Sequence, residues 1–171
     1  SPVAAVVRHD DGVEVRLADG TVARFDRVVI ATHADQALDL LADATPEEKS
    51  DLAAIRYSRN ETWLHRDAAV LPPEPRARAS WNHRLDTCDG GADRVTVSYW
   101  MNRLQGLRDA ADHVVTLNAA GRVDPAAVSA RMTYEHPIFT AEAVRAAARL
   151  RRAGGPRLAF AGAHLGWGFH E

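Results

Sequence analysis

Asp26-Arg27-Val28-Val29-Ile30-Ala31-Thr32 is the stretch on which the fold turns. Four apolar residues follow one another without the alternation that marks a half-buried strand, and three of them are β-branched. Such a run suits a strand covered on both faces, as in a parallel sheet. A second short apolar run, Leu158-Ala159-Phe160-Ala161, stands near the other end of the chain. It passes directly into Gly162-Ala163-His164-Leu165-Gly166-Trp167-Gly168-Phe169-His170-Glu171. Glycine has no Cβ and tolerates positive φ, so a glycine-spaced turn of this kind lets backbone approach a bulky ligand. The two apolar runs are predicted to return to one sheet although they lie far apart in sequence.

Reading outward, residues 3–25 form a β-meander. An apolar run at 3–7 is followed by the turn signal Asp11-Gly12, after which Val13, Val15 and Leu17 alternate with Glu14 and Arg16. Asp19-Gly20 marks a second hairpin, and Val22 and Phe25 continue on the return strand. Downstream, residues 33–41 read as a short helix with Leu38 and Leu41 at helical spacing. Thr45-Pro46-Glu47-Glu48 starts another: Thr45 caps, Pro46 suits the first helical position and Glu48 completes a capping box. From residue 57 the pattern changes to strands at 57–66, 79–85, 95–101, 114–117 and 130–134, joined by turn-rich links. That layout predicts a mainly antiparallel sheet. Asp124-Pro125 opens a short helix, and Thr140 caps a longer one over 141–153, stopped by Gly154-Gly155-Pro156. The fold class is therefore α+β. Residues 33–155 form a mainly antiparallel sheet domain with helices, flanked by a meander and strand at 1–32 and a closing strand and turn at 156–171, pieces of a layered α/β domain.

The 171 residues are long enough to bury about 70% of their unfolded surface. The chain is 46% hydrophobic and 26% charged with a net charge of -2, so no basic excess points to nucleic acid. Lys49 is the sole lysine; this arginine and alanine bias reflects genome composition more simply than phosphate binding. Cys88 is the only cysteine, which fits a reducing, cytoplasmic setting. Its neighbours Asp86 and Asp89 would raise a thiol pKa, which argues against a nucleophile. No apolar run reaches the ~20 residues needed to span a bilayer, and no signal peptide pattern opens the chain.

The layout resembles the back two-thirds of FAD-dependent amine oxidase-like oxidoreductases. The residues that carry the resemblance are the meander 3–15, Phe25-Asp26-Arg27-Val28-Val29-Ile30-Ala31-Thr32 and the closing Phe160-Ala161-Gly162. More narrowly, Ser98-Tyr99-Trp100-Met101-Asn102-Arg103-Leu104-Gln105, Glu135-His136-Pro137-Ile138-Phe139 and Gly166-Trp167-Gly168-Phe169-His170-Glu171 resemble a bacterial subgroup of predicted NAD/FAD-binding proteins. That subgroup is often associated with cyclopropane fatty acid synthases. The family's strand–GxGxxG–helix, which holds the FAD pyrophosphate at a helix N-terminus, is not in this sequence. The resemblance thus implies a part of a flavoenzyme whose two terminal segments belong to its FAD-binding domain. By itself, the chain is expected to be inactive and to hold FAD poorly.

Residue by residue, the resemblance implies that Val3 clamps the adenine through its backbone and that Ala31 and Thr32 lie near the dinucleotide. It implies that Gly162 and Ala163 meet the ribityl and pyrophosphate region, with Ala163 in place of the family's usual carboxylate. Phe169 would face the flavin ring with Glu171 close by. Trp100, Asn102, Trp167 and Phe169 would shape an apolar substrate cavity for a small molecule, a lipid or an amine. Simpler readings stand beside these. Trp63 and Trp81 suit sheet packing, Asn102 suits a turn, and Arg145, Arg149 and Arg152 suit a solvated helix face. His164 and His170 do not match a tight metal-ligand spacing, so no metal site is expected. No residue is singled out as catalytic, which suits chemistry carried by a flavin. The alternatives are a non-enzymatic lipid- or protein-binding α+β module, which leaves the two flanking buried strands unexplained, and a NAD-dependent enzyme, which needs the same glycine fingerprint.

Overall fold

A computed structural model describes residues 1–85, 96–108, 111–119 and 121–168. The chain divides into two compact units, residues 1–58 with 136–171, and residues 59–135.

The first unit opens with the meander: β1 (Val3–His9), β2 (Gly12–Leu17) and β3 (Val22–Phe25), each antiparallel to the next. The register shifts between Val3 and Ala5, a local irregularity at the start of β1. The anticipated parallel pair is present. β4 (Val28–Ile30) runs beside β10 (Leu158–Phe160) with Val28 opposite Leu158 and Ile30 opposite Phe160. Its burial differs from the expectation, because Ile30, Leu158 and Phe160 are buried while Val29 is 62% exposed. A two-stranded sheet packs its core on one face only, so the β-branched run is covered on one side here.

Three helices fill that covered side. α1 (Ala34–Leu40) and α2 (Pro46–Ala54) follow β4, and α2 carries the expected capping box, with the Glu48 amide donating to Thr45 Oγ1 at 3.2 Å and Thr45 N to Glu48 Oε2 at 3.0 Å. In the second unit, Met101–Leu104 form a single turn, α3. Back in the first unit, α4 (Ala141–Leu150) is capped by Thr140 Oγ1, which accepts from Ala143 N at 3.0 Å. Ala143, Ala146, Ala147 and Leu150 recur at helical spacing and are buried. They meet Leu41, Leu52, Ile55, Leu158 and Leu165 in one core. Past the helix, Gly154 at φ +88° turns the chain so tightly that a Cβ would lie 2.3 Å from the Leu158 carbonyl oxygen. The three helices therefore belong with the terminal strands, and the compact unit boundaries fall at 58/59 and 135/136, not near 32 and 155. The reason is that their apolar faces have their partners on β1, β4 and β10.

Charge pairing locks the same unit. Arg8 forks onto Glu48 at 2.6 and 2.7 Å and reaches Asp43 Oδ2 through Nε at 2.8 Å. Arg149, expected on a solvated face, pairs with Asp51 of α2, its Nη2 donating to Oδ1 at 2.6 Å.

The second unit is built on a sheet ordered β6 (Trp81–Arg84), β7 (Thr96–Trp100), β8 (Val114–Leu117), β5 (Tyr57–His65) and β9 (Val128–Pro137), of which Tyr57, Ser58, His136 and Pro137 belong to the first unit. The described pairings β6–β7, β7–β8 and β8–β5 are all antiparallel. Val114, Thr116, Trp63 and His65 share one face, and Trp63 and Val114 pack with Val70, Leu71, Ala119 and Val123. Asp67 and Asp124 each cap a short 3-10 turn, at Ala68–Val70 and Pro125–Ala127. The segment around Cys88, the strand start at Val95, and Phe169, His170 and Glu171 lie outside the described residues.

Candidate functional site

The carboxyl ends of β4 and β10 lie side by side in the first unit. After Phe160, the Ala161 amide donates to the Ile30 carbonyl at 2.9 Å, which carries the parallel pairing one residue further. Ala31 and Thr32 therefore leave the sheet beside Gly162 and Ala163. In open sheets with parallel strands, ligands bind at such carboxyl ends. Gly162 sits at φ +143° and ψ +162°, a region held almost only by glycine. A Cβ there would lie 2.9 Å from the His164 ring and 3.8 Å from the Thr32 carbonyl oxygen. The turn that follows is closed by its own backbone: Leu165 N donates to the Gly162 carbonyl at 3.0 Å and Gly168 N to the Ala163 carbonyl at 3.0 Å. The Arg151 guanidinium also donates to the Leu165 carbonyl.

A ring cluster stands at the same strand ends. His33, the residue before α1, stacks on Tyr57 with centroids 4.2 Å apart and an interplanar angle of 11°. The Tyr57 hydroxyl accepts from the Ala34 amide at 2.9 Å, which serves one free donor at the α1 N-terminus. Burial raises the Tyr57 pKa, so the phenol stays protonated. His164 is buried, and its Nε2 has no hydrogen-bond partner. Burial first, then the nearby His33, holds the His164 pKa below the usual histidine value, while Asp35 opposes the shift. At neutral pH this imidazole is uncharged.

The residues expected at the site are distributed as follows. Ala31, Thr32, Gly162 and Ala163 come together. Val3 lies at the start of β1 in the three-stranded sheet of the same unit and is 41% exposed, with Leu17 as its register partner. Trp167 is 79% exposed beyond the glycine turn. Phe169 and Glu171 lie outside the described residues. In the second unit, Trp100 packs against the Trp63 and Val114 cluster and gives its indole N–H to Asp112 Oδ1 at 2.8 Å. Asn102 spans a loop, donating to the Ala111 carbonyl at 2.8 Å and accepting from His113 N at 2.7 Å. Both side chains are thus engaged within their own unit. Trp81, read as a packing residue, is 47% exposed and meets Tyr99 edge to face at 5.4 Å. Alternation on β7 explains the exchange: Trp100 and Ser98 face the packed side, so Tyr99 and its partner Trp81 face the other.

His33, Tyr57 and His164 were not identified from the sequence. The signal available was a histidine directly after each of the two strand-end motifs, but only the parallel pairing brings the two histidines together. Among the described residues, no group of three or more His, Cys, Asp or Glu side chains could hold a metal ion.

Residues 1–65 match the family model described as flavin containing amine oxidoreductase. No curated protein sequence matches the chain. Among solved structures, cyclohexylamine oxidase from Brevibacterium oxydans superposes with a TM-score of 0.60 at 16% identity, over 98% of this chain and 44% of that one. A double variant of putrescine oxidase superposes with a TM-score of 0.59 at 13% identity, over 99% of this chain and 44% of that one. A fatty acid isomerase from P. acnes gives 0.52 at 17% identity, over 94% and 42%. The chain therefore has the fold of part of these proteins and spans less than half their length.

Proposed function

We propose that this chain, whose fold is that of part of the flavin-containing amine oxidases, is part of a FAD-dependent oxidoreductase. The observation that carries the reading is the glycine turn against the paired strand ends. Distant segments are brought together at the carboxyl ends of β4 and β10, and Gly162 leaves no room for a side chain between them. The match of residues 1–65 to the flavin-containing family supports it independently. The same strand ends offer an unpartnered buried nitrogen at His164, which fits a polar cofactor. When bound, the flavin supplies the redox chemistry by accepting a hydride from a carbon of the organic substrate.

The chain's own residues hold and orient. Ala31, Thr32, Gly162 and Ala163 would line the cofactor at the strand ends through backbone, since three of them have no polar side chain and the Thr32 hydroxyl donates to the His33 carbonyl at 3.1 Å. Val3 would contribute backbone from the start of the meander, and Phe169 and Glu171 would follow the turn. Ala163 brings no carboxylate, so its contact is limited to main chain. The first unit thus takes the cofactor role and the second the substrate role. For the substrate, Trp167 remains a candidate. In the second unit, Trp100 and Asn102 bond within their own unit, and Trp81 and Tyr99 meet edge to face on the other face of the sheet. The named solved structures include two amine oxidases and a fatty acid isomerase, so an amine or a fatty acyl chain is the substrate class to test.

The experiment is to purify the protein at its natural length and record its spectrum. The expected result is a yellow protein with flavin absorbance that bleaches anaerobically on adding a reactive amine or fatty acid from a panel. A folded, colourless protein that cannot be reconstituted with FAD would falsify the reading and favour a binding module. The 171-residue chain by itself is expected not to reach micromolar saturation in a flavin fluorescence titration, because it lacks a glycine fingerprint for the pyrophosphate.

A further inference from the structure

Among the described residues, β6 is an outer strand of the second unit's sheet and pairs with β7 alone. The residue before it fixes its hydrogen-bonding phase, because the Trp100 amide donates to the Ser80 carbonyl at 2.9 Å. In an antiparallel ladder only every second residue bonds to the strand beside it. Asn82 and Arg84 therefore bond towards β7. His83 turns its amide and carbonyl to the open edge, where no hydrogen bond to a described residue meets them. The edge-to-face contact of Trp81 with Tyr99 at 5.4 Å agrees with this phase, since side chains approach most closely in the non-bonded pairs. A groove of about 340 Å³ adjoins the edge, with the apolar run 69–73 on one side and Asn82, His83 and Arg84 on the other. Side chains alternate along a strand, so three consecutive residues line one groove where the strand presents its edge. A free strand edge beside an apolar wall is the arrangement in which an extended peptide adds a strand. Charge selects the occupant. Residues 68–84 hold Arg76, Arg78, Arg84 and His83 against a single acid, Glu74, in a chain whose net charge is -2. Arg78 braces the wall by donating to the Pro72 carbonyl at 2.9 Å and stands 3.8 Å from Asp112. Two copies joined edge to edge through β6 would set this basic segment against itself, and short charged edges disfavour such self-pairing.

We propose that the groove beside β6 docks an extended acidic peptide of another protein. The peptide pairs with the His83 main chain and sets alternate apolar side chains against the 69–73 wall. Its carboxylates meet the arginines of the rim. The inference stands apart from the flavin reading, and no chemical step is assigned to the groove.

The test titrates the protein at its natural length with a short fluorescein-labelled peptide that alternates glutamate and valine, read by anisotropy. Saturation in the micromolar range is expected, with the matching lysine–valine peptide much weaker. His83→Pro removes the outward N–H and leaves the ladder to β7 whole, because proline is tolerated on an edge strand. It is expected to raise the Kd about tenfold, the loss of roughly one hydrogen bond. His83→Ala keeps the main chain and is expected to bind as wild type does. Arg84→Glu is expected to weaken the glutamate peptide and strengthen the lysine one. Should His83→Pro not fold, the wild type is tested with the glutamate peptide N-methylated on its valines, which is expected to bind at least tenfold more weakly. A wild type that the glutamate peptide does not saturate overturns the proposal. So does equal affinity for the lysine peptide or for the N-methylated one. Self-association of the wild type that His83→Pro abolishes would assign the edge to a second copy and overturn it as well.

Discussion

Gly162 shows how much one backbone position can carry. Its φ of +143° lies in a region where a side chain is strained whatever the surrounding space, and here the space is also taken by His164. Gly162→Ala is expected to cost about 1–3 kcal/mol from the backbone strain alone. The ring of His164 must shift as well, because a heavy atom cannot stay 2.9 Å from it. The measurement is the midpoint of urea unfolding, and an unchanged midpoint would refute the account. The glycine was legible in the sequence as a position where the backbone needs positive φ and no Cβ. What it contacts was not, because His164 is two residues on and its ring reaches Gly162 only through the closed turn. The contrast between Trp100 and Trp81 has the same origin. Both tryptophans lie on strands, and only the pairing of Trp81 with Tyr99 and of Trp100 with Val114 shows which face each one occupies.

Elements are held by contacts that the local sequence announces to different degrees. The start of α2 was readable in full: Thr45, Pro46 and Glu48 perform the capping roles their types suggest. Thr45→Ala is expected to destabilise by about 1 kcal/mol, read from thermal unfolding, since the Glu48 amide loses its acceptor. Glu48 has a second role that was not readable, because its carboxylate also takes the Arg8 fork from β1. In the second unit, β5, β7 and β8 are joined by a buried polar chain. The Asp67 amide donates to His65 Nδ1 at 3.2 Å, which places the proton on Nε2, and Nε2 then donates to Thr116 Oγ1 at 2.8 Å. Thr116 in turn shares a 2.9 Å hydrogen bond with Ser98 Oγ. Burial lowers the His65 pKa below its ordinary 6.5, with Asp67 opposing. The folded state therefore refuses a proton that the unfolded chain accepts. This contribution to stability is complete above about pH 6.5 and is lost as pH falls below it toward the lower folded value. Stability measured in urea is expected to drop between pH 7.5 and 5.5. His65→Gln is expected to be about 1–3 kcal/mol less stable at pH 7.5 and to show a shallower pH slope. An identical slope in the variant would rule His65 out as the source.

At the scale of the whole molecule, the first unit is assembled from both ends of the chain. Leu150 of α4 is 1% exposed and packs with residues of β1, α1, α2 and β10. Leu150→Ala is expected to cost about 2–5 kcal/mol. Hydrogen exchange should then show protection lost across β1, β4 and α2, with β6, β7 and β8 much less affected. A uniform loss across both groups would contradict the division into two units. Among the described residues, no helix is long and apolar enough to cross a membrane. The sequence by itself determined the local elements: the meander, the capped helices, the antiparallel strands and the two apolar runs predicted to pair. These follow from period, turn residues and caps, which act over a few neighbouring positions. Tertiary structure decided which unit each helix joins, which face of a strand is covered, and which side chains stand at the strand ends. Those outcomes depend on contacts between residues distant in the chain, where a buried nitrogen such as His164 Nε2 or an ion pair such as Arg8 with Glu48 leaves no periodic trace. That is why Val29, read as covered on both faces, lies open on one, and why His164 joined the site only once β4 and β10 were side by side.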